Sequence, residues 1–205
     1  IESKEQYWLL LPVLEGKLQV LQGVSKLESN GLMELNGTQY YAERFNFDGK
    51  VYIFGGGHLA QEVVPVLSHL GFRCVVLDDR EEFSKQELFT GAEEVLCVDF
   101  KDLAKAVQIT ENDYVAVMTR GHLHDADVER FVLKTPAHYI GVVGSRRKAK
   151  LTRETLRGEG FSDEQLDRII TPIGLEIGSE TPAEIAISIA AQFIQVRANR
   201  LVNMR

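Results

Sequence analysis

From about residue 50 onward, short apolar runs alternate with stretches in which apolar side chains recur every three or four positions. The first pattern is that of a buried strand and the second that of an amphipathic helix. Strands are predicted at residues 51–54, 72–77, 95–98, 114–118 and 139–143. Leu59, Val63, Val66, Leu67 and Leu70 give a helix one apolar face; Gly71 ends it, and Pro65 at its middle predicts a bend or a local break. Further helices are expected opening at Asp99, from about His124 to Lys134, and after Ser145. The last helix is marked by Thr181 as N-cap, Pro182 at the first helical position and Glu184 completing a capping box, with Ile185, Ile189, Phe193 and Val196 along one side. Strands alternating with helices predict an α/β fold, a doubly wound and mostly parallel sheet over residues 46–205, with the carboxyl ends of the strands along one edge.

Residues 1–45 follow another pattern. Tyr7, Leu10, Leu11 and Leu14 suggest a short helix, residues 18–24 and 38–45 suggest strands, and Asn36-Gly37 is a hairpin turn signal. The expectation is a small α+β appendage. The chain begins at Ile1, not at methionine, which leaves room for residues upstream.

The first predicted strand runs into Gly55-Gly56-Gly57-His58-Leu59-Ala60, so that Gly55, Gly57 and Ala60 fill the small positions of G-x-G-x-x-G/A. In a strand-turn-helix these serve the tight turn, the approach of backbone to a pyrophosphate, and the packing of helix on strand. The helix that follows aims unpaired N–H groups and its positive dipole end at the same place. Asp78, 23 residues beyond Gly55, closes the second strand where a ribose 2′-hydroxyl is held in dinucleotide sites. A carboxylate there favours NAD over NADP, while the adjacent Arg80 leaves that preference open. A strand-turn-helix that uses its glycines for packing alone is the plainer alternative.

A net charge of −7 argues against non-specific nucleic-acid binding. No stretch is long and apolar enough to span a bilayer and no signal-peptide pattern opens the chain, so a cytoplasmic location is expected. Cys74 and Cys97 sit singly in apolar runs, which reads as small buried hydrophobes and neither a zinc site nor a disulfide.

Chemistry is expected on three loops at the carboxyl edge. Thr119-Arg120-Gly121-His122-Leu123-His124-Asp125 offers His122, His124 and Asp125 as an acid-base group, with a partial metal site at His122, His124 and Asp127, or helix capping by Asp125, as alternatives. Gly144-Ser145-Arg146-Arg147-Lys148 joins a flexible backbone, a hydroxyl and cations at a helix start, which suits an anion. Arg146 stands evenly between anion contact and surface charge; Arg147, Lys148, Lys150, Arg153 and Arg157 read as a solvated helix face making i,i+4 pairs with Glu154 and its neighbours. The third loop, residues 171–181, precedes the last helix.

These loops and the glycine turn together carry a resemblance. Residues 51–60, Val76-Leu-Asp-Asp-Arg-Glu-Glu-Phe, Met118-Thr-Arg-Gly-His-Leu-His-Asp, Gly141-Val-Val-Gly-Ser-Arg-Arg-Lys and Pro172-Ile-Gly-Leu-Glu-Ile-Gly-Ser-Glu-Thr-Pro-Ala-Glu-Ile-Ala form five ordered blocks. In them the chain resembles the xanthine dehydrogenase accessory factor family, XdhC/CoxI, in its C-terminal Rossmann domain. The resemblance implies a maturation protein that binds molybdenum cofactor, favours its sulfurated form and delivers it to a molybdenum hydroxylase of the xanthine dehydrogenase type, with a sulfur donor as a further partner and a homodimer as its form. The family's N-terminal domain carries a glycine-rich segment ending in glutamate; residues 1–45 contain no such block and no cysteine. Cofactor contacts are expected from Gly55, Gly57, His58, Ala60, Asp78, Thr119, Arg120, Gly144, Ser145 and Arg146. The competing reading is an NAD-dependent oxidoreductase in which His122 or His124 exchanges a proton as hydride moves.

Overall fold

Tyr7–Pro12 forms strand β1, not a helix. Trp8 and Leu10 are both fully buried, which is the period of two that a strand imposes and a helix does not. In a run as uniformly apolar as Trp8-Leu-Leu-Leu the two periods both fit, and pairing with β2 (Gln19–Gln22) and β4 (Thr38–Phe45) decides for the strand. With β3 (Gly31–Leu35) these make a four-stranded antiparallel sheet in the order β2-β1-β4-β3. Trp8, Leu10, Tyr40 and Ala42 are its core. Asn36 and Gly37, at φ 53° and 79°, make the predicted hairpin turn between β3 and β4. This is a computed structural model, and it describes residues 7–22, 31–45, 49–120 and 122–203.

The chain divides into two compact units, residues 1–47 with 200–205 and residues 48–199, so that the last turn of the final helix is counted with the first. In the second, β5 (Lys50–Phe54), α1 (His58–His69), β6 (Arg73–Asp78), β7 (Glu94–Cys97), α2 (Leu103–Ala106), β8 (Tyr114–Val117), α3 (His122–Val132), β9 (Tyr139–Val142), α4 (Arg146–Gly158), α5 (Asp163–Leu166), β10 (Ile169–Ile170) and α6 (Pro182–Asn203) follow in sequence. The six strands pair in parallel in the order β10-β9-β8-β5-β6-β7. Strand order reverses between β5 and β8, so the turns after those strands face each other across the crevice where such sheets take ligands.

Both faces of the sheet are covered, and the alternation of side chains along each strand sorts them into two cores. Val51, Ile53, Val76, Tyr114 and Tyr139 pack under α1 and α6, meeting Val63, Leu67, Ile189 and Phe193. Tyr52, Phe54, Val75, Val115, Ile140 and Val142 face Leu103, Val128, Val132, Leu156 and Leu166 of α2 to α5. Cys74 lies in the first core, where burial pushes its thiol up to about 12; Cys97, read as buried, is exposed at the end of β7.

Two expectations change. Of the bend or break expected at Pro65 the break does not occur, α1 being continuous through it, and the helix expected at Asp99 is reduced to the single turn of α2, because the Asp99 carboxylate takes the Lys101 N–H in a local turn first. α6 opens as expected, with the Glu184 carboxylate accepting from the Thr181 N–H at 2.9 Å and the Thr181 hydroxyl accepting from the Glu184 N–H. No helix among the described residues is long and apolar enough to cross a membrane.

Candidate functional site

The glycine turn is shaped by its neighbours. Gly55, at φ 106°, lies so close to the loop after β8 that a Cβ would stand 2.5 Å from the Met118 carbonyl oxygen. At Gly56 a Cβ would meet the Phe83 carbonyl oxygen at 2.4 Å. Gly57 is different: it is the N-cap of α1 in an extended conformation, and a Cβ there would meet nothing within 4 Å. The opening of α1 therefore stands clear, with no side chain capping it. His58 is its exposed first residue, and Ala60 is buried against the sheet as the third small position requires.

Asp78 ends β6 beneath this turn and is almost fully buried. Its Oδ2 accepts from the Gly56 N–H at 2.7 Å and from the Arg80 guanidinium at 3.0 Å; its Oδ1 accepts from Arg80 Nε at 2.8 Å and the Arg80 N–H at 3.0 Å. Burial pushes this carboxyl up, but the Arg80 fork and the two backbone donors outweigh it, and it titrates below the usual carboxylate range. The Arg80 guanidinium is in turn stacked 3.7 Å from the Phe83 ring centre. All four lone-pair positions of Asp78 are occupied from within, so the ribose contact expected of it has no free acceptor in this arrangement. Asp78 acts instead as the bracket that fixes the glycine turn.

A second buried carboxylate joins the first two loops. Asp125, in the first turn of α3, accepts a short hydrogen bond from the Thr119 hydroxyl and makes a close ion pair with Lys148 of α4. Lys148 is therefore not part of a solvated face: its side chain turns inward to a carboxylate that is 1% exposed. Asp125 holds the loop after β8 against the start of α4, which is a positioning role and not the N-cap role weighed for it. The side chains of His122 and His124, and residue Gly121, lie outside the described residues. Arg120 is exposed, and Asp127 pairs with Arg130 at 2.7 Å. Among the described residues no three His, Cys, Asp or Glu side chains are grouped to hold a metal.

Ser145 is the N-cap of α4, its hydroxyl oxygen accepting from the Lys148 N–H at 3.2 Å. Beside it Gly144, Val143 and the third loop line a groove of about 660 Å³. The third loop is pinned from beneath: the Ile173 N–H donates to the Val142 carbonyl, the Gly174 N–H and the Tyr139 hydroxyl share Gln192 Oε1, and the Ser188 hydroxyl donates to the Leu175 carbonyl. Arg146 reaches over the groove to Glu176 at 2.6 Å, a pair exposed on both sides and worth little in water. Farther along α4, Lys150 makes the expected i,i+4 pair with Glu154 at 4.0 Å on the exposed face, while Arg153 and Arg157 pair with Asp163 across to α5, and Arg153 also with Asp167 just beyond it.

Glu129 was not among the residues the sequence singled out. One turn after Asp125 on α3, it is 4% exposed, and no hydrogen bond to its carboxyl group is found among the described residues. Its signal was present: Asp125, Val128, Glu129 and Val132 share one helical face, so an acidic pair sits on an apolar stripe. Burial first, and then the facing Asp125 carboxylate, push Glu129 up to about 7 against the pull of Lys148 and Arg130. The folded protein thus holds a proton that the unfolded chain has already released. The stabilisation is full below the ordinary glutamate range and falls as pH rises to about 7, a loss of ~3 kcal/mol at 1.36 kcal/mol per unit. Urea unfolding at pH 5 and pH 8 checks this: Glu129→Gln should lack that component of the decline.

The sequence pattern of the XdhC Rossmann domain matches residues 51–193. The chain belongs to the XdhC Rossmann-domain family. The match begins at β5 and ends within α6, so it takes in the glycine turn and all three carboxyl-edge loops. The chain is 29% identical over 199 residues to the uncharacterized protein YqeB of Escherichia coli (strain K12), covering 91% of this chain and 36% of that protein. It is 28% identical over 160 residues to a probable xanthine dehydrogenase subunit of Bacillus subtilis (strain 168), covering 78% of this chain and 46% of the relative. It thus spans less than half the length of these two curated relatives. A crystal structure of a xanthine dehydrogenase from Bacillus halodurans superposes with a TM-score of 0.72 at 24% identity, over 96% of this chain and 61% of that one, which shows a common fold. In this XdhC Rossmann domain the glycine turn, Thr119, Gly144 and Ser145 line the carboxyl edge, whereas Asp78 and Asp125 lie beneath it and hold it in shape.

Proposed function

We propose that this chain is the cofactor-holding part of a maturation factor for a molybdenum hydroxylase of the xanthine dehydrogenase type. One observation carries the reading: at the switch point of an XdhC Rossmann domain, the opening of α1 at Gly57 is uncapped and clear of side chains, so backbone amides are free for an anionic group. A phosphate-bearing pterin fits that donor set, which is neutral backbone with a positive dipole end. Gly57, His58 and Leu59 would hold the phosphate through their N–H groups, with Arg120 and the first turn of α4 beyond Ser145 on the same edge. The molybdenum centre, when bound, supplies the metal at which the hydroxylase later works. The part played by this chain is to bind, orient and shield the cofactor until a hydroxylase accepts it. Sulfuration with the help of a sulfur donor, a homodimeric form and a cytoplasmic setting belong to the same proposal.

The NAD-dependent reading draws no comparable support, because the carboxylate that would grip the ribose is engaged by Gly56 and Arg80. Native mass spectrometry of the protein incubated with isolated molybdenum cofactor, and in parallel with NAD, tests the choice. The expected result is a complex heavier by the pterin cofactor at twice the chain mass, and transfer of that mass to a cofactor-free hydroxylase on mixing. Retention of NAD in preference to the pterin would overturn the proposal.

A further inference from the structure

A second cavity lies away from the glycine turn, on the other side of the sheet's edge. It encloses about 190 Å³ between α3, α4, α5 and the ends of β9 and β10. Val142, Ala149, Leu166 and Ile169 form apolar walls, and four polar residues line it: Glu129, Lys150, Arg153 and Thr171, the last with an Oγ1 that is buried with no hydrogen-bond partner among the described residues. Buried polar groups are nearly always paired, because leaving one unpaired costs on the order of 1–3 kcal/mol. An unpaired Thr171 hydroxyl and an apolar-walled pocket that also carries the buried Glu129 residue point to a partner that is not part of the chain. An apolar cavity of ~150 Å³ is enough to hold benzene. The space here admits a flat ring with its substituents.

The donor and acceptor pattern narrows the class. A carboxylate offers two parallel acceptors, the geometry that matches two adjacent N–H groups side by side. The Thr171 hydroxyl, lining the same space, offers a donor. The complementary edge is C=O, N–H and NH₂ in a row, as in a 2-aminopyrimidin-4-one. We propose that Glu129 and Thr171 form a binding site for a ring carrying this edge, with the cation Lys150, which lines the same cavity, to meet an anionic substituent. Guanine and pterin rings both carry the edge. The inference does not rest on the reading of the glycine turn, since the ring alone satisfies it.

The test uses isocytosine, the bare 2-aminopyrimidin-4-one ring, with uracil as a control of the same size that lacks the paired donors. In calorimetry on the intact chain, isocytosine is expected to bind at least about tenfold tighter than uracil, because a site built for N–H donors rejects a ring that leaves its acceptors unpaired. Glu129→Gln should erase that preference, and Ala149→Phe should block both rings by filling the cavity; unfolding midpoints near that of the wild type show that each variant is folded. Binding should strengthen from pH 6 to pH 8 as Glu129 ionises, with Asp125 and Arg130 on α3 and Lys148, Lys150 and Arg153 on α4 as the charges facing it. Displacement of isocytosine by guanosine monophosphate or by 6-hydroxymethylpterin then tells the purine source from the pterin source. Equal affinity for isocytosine and uracil, a Glu129→Gln variant that binds as well as wild type, or displacement by neither fused ring would overturn the proposal. Isocytosine carries no phosphate, so its failure to bind leaves the Gly57 corner untouched, and loss of phosphate binding in Gly57→Asp leaves this site untouched.

Discussion

Gly57→Asp should lower affinity for a phosphate-bearing ligand by about 100- to 1,000-fold, ~3–4 kcal/mol, while the domain stays folded. The substitution is informative because its two consequences run in opposite directions. Gly57 has ordinary extended backbone and open space around its Cβ, so aspartate enters without strain. Aspartate is also a better N-cap than glycine, and its charge suits the start of a helix, so α1 should be unchanged or steadier by a few tenths of a kcal/mol. The same carboxylate takes the N–H groups that a phosphate would use and repels it at close range. Calorimetric titration with the cofactor, alongside a thermal melt, reads both effects. Unchanged affinity in a folded variant would remove the glycine turn from the site.

The second large effect is expected at Asp78. Alanine there removes a carboxylate that accepts four hydrogen bonds, leaves the buried Gly56 N–H without that acceptor, and leaves the Arg80 guanidinium with only the longer Asp79 pair and the Phe83 ring. Breaking a buried pair by deleting one member costs ~3–5 kcal/mol. Arg80 is partly exposed and recovers some hydration, so the lower end of that range is expected here. The wild type should itself shed this stabilisation in acid. Because the folded carboxyl titrates below its usual range, the contribution is whole above the ordinary aspartate value near 3.9 and is lost as pH falls through the depressed one. Guanidinium unfolding of wild type and Asp78→Ala at pH 7 and at pH 3 measures this. A variant within 0.5 kcal/mol of wild type at pH 7, the scale of an ordinary surface substitution, would show that the bracket contributes little.

What the sequence made legible follows from the range of the forces involved. The strands from β5 to β9 announce themselves as apolar runs, and helix α6 by the capping residues Thr181, Pro182 and Glu184, because those signals are local. β1 did not, since Tyr7, Leu10, Leu11 and Leu14 fit a helical period while the uniformly apolar run from Trp8 to Leu11 fits a strand equally well, and only pairing with Gln19–Gln22 and Thr38–Phe45 separates them. At the candidate site the glycines were readable because a tight turn needs them wherever it occurs. The partners of Asp78 and Lys148 were not, because one is set by how Arg80 folds back and the other by two helices meeting around residue 125. Glu129 was overlooked because an acidic side chain on a helix is ordinarily solvated, and only its companions Val128 and Val132 mark the face it shares.

The three loops at the carboxyl edge are fastened by unlike means, and this bears on how the edge responds to its medium. The loop after β8 and the start of α4 are joined through Asp125, which is shut off from bulk solvent, and dissolved ions screen such a pair little. The third loop, held from beneath by Val142, Gln192 and Ser188, carries in addition the outer pair of Arg146 and Glu176, which are bathed in water and fully subject to screening. Raising ionic strength should therefore act on that outer pair alone, a small change for a contact worth little in water, while the joint at Asp125 keeps its geometry.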